Sequence, residues 1–121
     1  MPRYVILRHS MPPDGARSSH YDLMLEGDGT LRTWALDSLP TGDAEIAAEA
    51  LPDHRIAYLD YEGPVSGNRG RVERIERGTY RAVEEGGLRV VIELADEAGT
   101  RKRLVLRRED AQRWRVTGSP A

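Results

Sequence analysis

Cysteine and phenylalanine are both missing from this 121-residue sequence. The first absence excludes disulfides, thiolate metal sites and cysteine nucleophiles. It fits a reducing compartment, so the expected location is cytoplasmic. The second leaves the core to Val, Ile, Leu, Tyr and Trp. Lysine is nearly absent: of 18 basic residues only Lys102 is not arginine. Arginine suits phosphate better than lysine because its planar fork grips two oxygens at once, although GC-rich codon usage gives the same bias. Long apolar runs are missing as well, the longest being only three or four residues, as in Val5-Ile6-Leu7. Neither a signal peptide nor a membrane span is therefore expected, and no membrane partner.

What is present fits one globular domain over residues 1–121. A chain of this length buries roughly two-thirds of its unfolded surface, so no metal is required merely to fold. Residues 1–63 carry 5 basic and 11 acidic side chains, and residues 64–121 carry 13 and 9. The halves thus have net charges of −6 and +4. A basic half can meet a phosphate backbone, but charges alternating with core residues on a solvated β surface give the same count.

Hydrophobic alternation organises the chain into short strands. Arg3 to His9 reads as the first. Ser10 to Ser19 holds Pro12-Pro13-Asp14-Gly15 and reads as a loop. His20 to Glu26 places His20, Asp22, Met24 and Glu26 on one face and Tyr21, Leu23 and Leu25 on the other. Gly27-Asp28-Gly29 makes a turn, and Thr30 to Leu36 returns to complete a hairpin. Alanine-rich Asp43 to Leu51 has helix propensity, with Thr41 or Asp43 as a cap, yet is short enough to be extended. Arg55 to Tyr61 reads as a strand and Gly63 to Gly70 as a loop. Arg71 to Ile75, Gly78 to Val83, Leu88 to Leu94 and Arg101 to Arg107 read as four more strands. Trp114 to Val116 adds an edge, and 118–121 reads as a frayed tail. Many short strands with little helix predict an all-β fold, a small antiparallel barrel.

The three histidines are His9, His20 and His54. His20 and Asp22 lie two apart on a strand, so their side chains leave one face roughly 6–7 Å apart at the backbone. His9 ends the preceding strand and can add a third ligand. Two imidazoles and a carboxylate suit manganese, iron or zinc and leave positions open for water or substrate. On spacing alone, His-x-Asp on a strand is more often a surface pair. Trp34 reads as core, Trp114 as packing for the last strand or a barrel end, and Glu26 as a strand-end carboxylate rather than a fourth ligand.

Several ordered segments add to that pattern: LRHS, then SSHYDLMLEGDGTLRTWAL, then PDHRIAYLDYEG at Pro52 to Gly63, then PVSGNRGRV and ERGTY. Together they resemble the 3'-phosphoesterase domain of bacterial ligase D. That family reads K-H-x-A-R-x-L-H-Y-D-x-R-L-E, G-x-L-x-S-W-A, E-D-H-P-L-x-Y-A-D-F-E-G and P-E-G-x-Y-G-x-G-x-V. The similarity spans roughly residues 4–80. The resemblance implies a β barrel with a polar pocket holding a divalent metal, manganese, with zinc as the other candidate. It implies that His9, His20 and Asp22 bind the ion. It also implies that His54 and Tyr58 are catalytic and contact phosphate. The implied substrate is a nucleic-acid 3' end, from which a ribonucleoside and then the 3'-phosphate are removed. A DNA ligase or a primer-extending polymerase is the implied partner.

Three positions depart from the family pattern. Met24 replaces an arginine, a loss worth about 1.5–3 kcal/mol for a charge-assisted bond. The His9–His20 loop is longer by five residues. Asp37 and Ser38 stand near an expected lysine. Arg69, in the glycine-rich loop, is the favoured substitute cation, since Arg8 and Arg55 flank histidines and strand neighbours point to opposite faces. A non-catalytic module that binds metal and a nucleic-acid end is the main alternative, because methionine neutralises no anion. A reading in which all three histidines are ordinary barrel positions leaves the motif series unexplained. The YVILRHS opening is superficially similar to the histidine phosphatases, but Ser10 replaces their glycine and the chain is short for that fold.

Overall fold

The computed structural model describes residues 1–14 and 18–121. The expected loop's Gly15 lies outside them. Nine strands form one antiparallel sheet: β1 (Arg3–Ser10), β2 (His20–Gly27), β3 (Thr30–Leu36), β4 (Ile46–Arg55), β5 (Gly63–Pro64), β6 (Arg71–Glu85), β7 (Arg89–Asp96), β8 (Arg101–Arg108) and β9 (Arg113–Pro120). A 3-10 turn covers Ile56–Leu59. The order runs β1-β2-β3-β4-β9-β8-β7-β6, and β1 also pairs with β6, which closes an eight-stranded barrel. Closure removes the free edges that an open sheet exposes.

The β2–β3 hairpin forms as its alternation predicts, with Gly27 opposite Thr30. Asp28 and Gly29 both have positive φ, 27° and 82°, as a two-residue hairpin turn requires. Alternation then sorts side chains to two apolar faces, both buried. Tyr4, Ile6, Leu23, Leu25, Trp34 and Leu36 point inward and meet residues from every other barrel strand. Trp34 and Trp114 meet edge to face at 5.5 Å in this core. Val5, Leu7, Met24 and Leu31 point outward and are covered by Leu59 and Val72. The candidate site lies on this outer face.

Of the two alternatives for Asp43 to Leu51 the extended one holds: Ile46–Arg55 is a strand because it bridges β3 and β9. Four expectations need correction. Arg55 to Tyr61 is not a strand. Arg55 lies opposite Thr30, the first residue of β3, so beyond it no neighbouring backbone is left to pair with. The chain turns instead and lays Leu59 and Tyr58 on the outer cluster. Arg71 to Ile75 and Gly78 to Val83 are one strand, not two. β6 serves β1 at one end and β7 at the other, with register shifts that leave Ile75 and Val83 unopposed and exposed. Bulges of this kind add twist and let one strand change partners. Gly78 marks a close approach rather than a break, since a Cβ there would lie 1.9 Å from the Ala95 carbonyl oxygen. Trp114 to Val116 is not an edge and 118–121 is not frayed: β9 runs to Pro120 between β4 and β8.

Candidate metal and phosphate site

His9 stands directly across from His20 on the β1–β2 ladder, and Asp22 is the next outward residue along β2. The two rings lie 4.9 Å apart, centre to centre. Asp22 Oδ1 is 3.0 Å from His20 Nε2, and Asp22 Oδ2 is 3.3 Å from His9 Nδ1. One ligand atom from each residue falls within 4.8 Å of the others, the sole such cluster among the described residues.

The remaining ring nitrogens fix the chemistry. His9 Nε2 lies 2.7 Å from the Arg69 carbonyl oxygen, and His20 Nδ1 lies 2.9 Å from that of Ser18. A carbonyl only accepts, so both nitrogens carry hydrogen and donate it. In neutral imidazoles the lone pairs then sit on His9 Nδ1 and His20 Nε2, both facing the Asp22 carboxylate. Such orientation by backbone carbonyls is typical of metal-binding histidines. Burial raises the Asp22 carboxyl's pKa, but hydrogen bonding and charge attraction from His20 and His9 outweigh it, so the net shift is below the ordinary value. With Asp22 only 1% exposed, a proton on a ring, which gives the hydrogen bond to Asp22, or a metal ion held by the lone pairs of neutral rings would each balance the carboxylate. The donor set therefore fits a divalent metal.

Arg69's carbonyl reaches His9 because its loop is folded tightly. Val65 donates its N–H to the Gly70 carbonyl at 2.8 Å. Asn68 and Gly70 have φ of 54° and 80°. Gly70 passes so close to β1 that a Cβ would lie 1.9 Å from the Ser10 carbonyl oxygen.

His9 and Asp22 open into a cleft of about 400 Å³ that Met24, His54, Tyr58 and Arg69 also line. Strict alternation from Ala48 and Ala50 would send His54 into the barrel. A bulge prevents this: Thr33 lies opposite Leu51 and Leu31 opposite His54, which sets Pro52 and Asp53 against the single residue Arg32. Proline, which has no N–H to donate, is tolerated at such a point. His54 thereby lands on the outer face. Its Nδ1 donates to the Pro52 carbonyl at 2.9 Å, which leaves Nε2 for other partners. Tyr58 stands edge-on to the His54 ring at 5.7 Å. Met24, 1% exposed, is part of the apolar wall.

The structure thus brings His9, Asp22, His54, Tyr58 and Arg69 to one cleft, with His20 behind Asp22. Arg8 points away, its guanidinium donating to the Tyr21 hydroxyl at 3.3 Å. Glu26 is no ligand and holds Arg3 instead. Sequence reasoning missed two lining residues, Asp53 and Arg55. Arg55 was assigned the opposite face, but β4 ends there and its alternation ends with it. The signal for the bulge was Pro52 inside a stretch that otherwise reads as strand.

Comparison with known proteins points to one family. The family profile described as the DNA Ligase D 3'-phosphoesterase domain matches residues 14–115. The match starts after β1, so the place of His9 rests on its pairing with His20. Over 85 residues the chain is 33% identical to the multifunctional non-homologous end joining protein LigD of Pseudomonas aeruginosa. That alignment covers 66% of this chain and 10% of the relative, so the chain spans only a small part of the relative's length. With the profile matching most of its length, this chain belongs to the ligase D 3'-phosphoesterase domain family.

Proposed function

We propose that this domain is a divalent-metal-dependent phosphoesterase acting on nucleic-acid 3' termini, with manganese as the favoured ion and zinc as the other. One observation carries the reading. His9 and Asp22, of metal-ligating type, and His54 and Tyr58, of phosphate-binding type, come from separate segments, yet they line one cleft, and His20 completes the ligand cluster beside it. A bound divalent ion would polarise a phosphoryl oxygen and lower the pKa of a water. His9 and His20 hold their lone pairs toward that position through the Arg69 and Ser18 carbonyls. His54, fixed by Pro52, presents Nε2 to the cleft, where its protonated form donates to a phosphate oxygen or to the leaving oxygen. The Tyr58 hydroxyl donates a second hydrogen bond. The apolar wall of Met24, Val65 and Val72 limits water on one side.

A DNA ligase or primer-extending polymerase is the proposed partner, because the relative that contains this domain is a multifunctional end-joining protein. Among the described residues no helix is long and apolar enough to cross a membrane. A cytoplasmic location is part of the proposal.

The test uses a primer–template bearing a 3'-phosphate or a single 3'-ribonucleotide, incubated with manganese. Wild type should release product slowly, and His54→Ala should abolish release. Met24→Arg should raise the rate, since one donor to developing phosphate charge is commonly worth roughly 10²–10³-fold. Met24 in the cleft wall also favours a second reading, a module that binds metal and a 3' end without chemistry. Absence of product from both wild type and Met24→Arg, with metal bound, would establish that reading instead.

A further inference from the structure

Most surface arginines in this protein are neutralised locally. Arg3, Arg77, Arg81, Arg103, Arg107 and Arg113, among others, lie against carboxylates. Two guanidinium-bearing residues line the candidate cleft, Arg55 and Arg69. Their situations differ. Arg69 Nε donates to the Ser66 carbonyl at 2.7 Å and a terminal nitrogen donates to Ser66 Oγ at 3.1 Å. Two of its five N–H donors are thus committed to Ser66, which ties the guanidinium to its own loop. Arg55 makes no hydrogen bond, ion pair or ring contact with any described residue. Asp53 lines the same cleft, but its carboxylate accepts from Thr30 Oγ1 at 3.2 Å and lies beyond ion-pair distance of Arg55.

Arg55 also occupies a junction. It lines the main cleft together with His54 and Tyr58. It lines as well an adjoining groove of about 260 Å³ formed with Ala57, Tyr58, Tyr61, Pro64, Val65 and Ser66. Arg55, Tyr58 and Val65 are common to both, so the two hollows adjoin. In the groove the rings of Tyr58 and Tyr61 meet edge to face at 5.8 Å. A cation without a partner, set between a metal-ligand cluster and an aromatic groove, is placed where a phosphate joined to a nucleoside would lie.

We infer that Arg55, rather than Arg69, is the cation that clamps the substrate phosphate, and that it supplies the charge that Met24 leaves out of the cleft wall. The two positions face the same hollow from different strands, β2 and the end of β4. Part of the charge is thus moved across the site, and Met24→Arg would add to it. The inference rests on the phosphoesterase reading for the identity of the anion, but its test does not depend on turnover.

Binding of inorganic phosphate, and of an oligonucleotide ending in a 3'-phosphate, would be measured with manganese present. The comparison is among wild type, Arg55→Met, Arg55→Lys, Arg69→Ala, Arg101→Met and Met24→Arg/Arg55→Met. Arg101 is exposed on β8 and controls for loss of one positive charge. Arg55→Met should weaken phosphate binding by about ten- to a hundredfold, the size of one charge-assisted contact, while manganese affinity stays unchanged. Arg55→Lys should recover part of the loss. Arg69→Ala and Arg101→Met should change it by no more than about threefold. The double variant should recover most of it by returning a guanidinium to the same cleft. Phosphate affinity unchanged in Arg55→Met, or lost mainly in Arg69→Ala, would overturn the inference. If phosphate binding depends on Arg55 but no substrate is turned over, the inference stands and the phosphoesterase reading fails. If turnover is normal in Arg55→Met, the reverse holds.

Discussion

Gly70→Ala should damage the proposed metal site without touching a single proposed ligand. Gly70 has φ +80°, where a residue with a Cβ is strained by about 1–2 kcal/mol. The added carbon would also lie 1.9 Å from the Ser10 carbonyl oxygen and 3.1 Å from Met11 Cα, both backbone. Backbone cannot swing aside as a side chain can, so the loop must lift from β1 at an overpacking cost of about 1–3 kcal/mol. The sum, about 2–5 kcal/mol, corresponds to a drop in Tm of roughly 8–20 °C at this chain length. Lifting the loop withdraws the Arg69 carbonyl from His9 Nε2, now 2.7 Å away. Loss of such an orienting contact weakens metal binding by about 10–100-fold. Thermal melts with and without manganese, and calorimetry, read both effects. Gly70→Asn separates the causes, because asparagine tolerates this backbone region but still carries a Cβ. It should remain nearly as damaging as alanine. A Gly70→Ala protein melting within about 2 °C of wild type, with ordinary metal affinity, would refute the argument.

The other predictions concern the ligands, salt and acid. One divalent ion should bind, and His20→Ala or Asp22→Asn should weaken it sharply; acid should release it, since neutral imidazole is the ligand. Equal manganese binding by wild type and His20→Ala in calorimetry would rule the site out. Nucleic-acid affinity outside the cleft should be weak and salt-sensitive, because many arginines of the basic half already face carboxylates; tight binding that barely changes with salt would contradict this. Asp110 accepts backbone hydrogen bonds from Arg113 and Gln112 and a side-chain bond from Arg113, which together hold its carboxyl down at about 2. Its support of the β8–β9 turn should be fully present above about pH 4 and lost as the pH falls through about 2, and an NMR titration that places Asp110 near 4 would show the turn is not so bonded.

Much of the fold was legible because it depends on local patterns. The β2–β3 hairpin follows from period-two alternation around Gly27-Asp28-Gly29. The same alternation puts His20, Asp22 and Met24 on one face without any knowledge of what that face meets. The motif series around HYD and PDHRIAYLDYEG marks the family and five of the residues that meet at the site.

What the sequence left undecided depends on partners distant along the chain. Alternation divides β1 and β2 into two apolar faces, but only barrel closure decides that Leu23 turns inward and Met24 outward. Alanine-rich residues 46–51 have no local reason to prefer a strand over a helix; pairing with β3 and β9 supplies it. The same closure turns the predicted edge and tail into β9. Bulges escape a periodic reading, because an extra residue reverses the facing of everything after it. That is why β6 read as two strands; Arg55 was assigned to the wrong face because β4, and its alternation, end there. Composition and spacing by themselves specify a β-rich chain with a ligand pair on one strand. The meeting of His9 with His20, the turning of His54 outward and the exposure of an unpaired Arg55 at the cleft were decided by tertiary structure, because each depends on which backbone lies alongside and where that backbone ends.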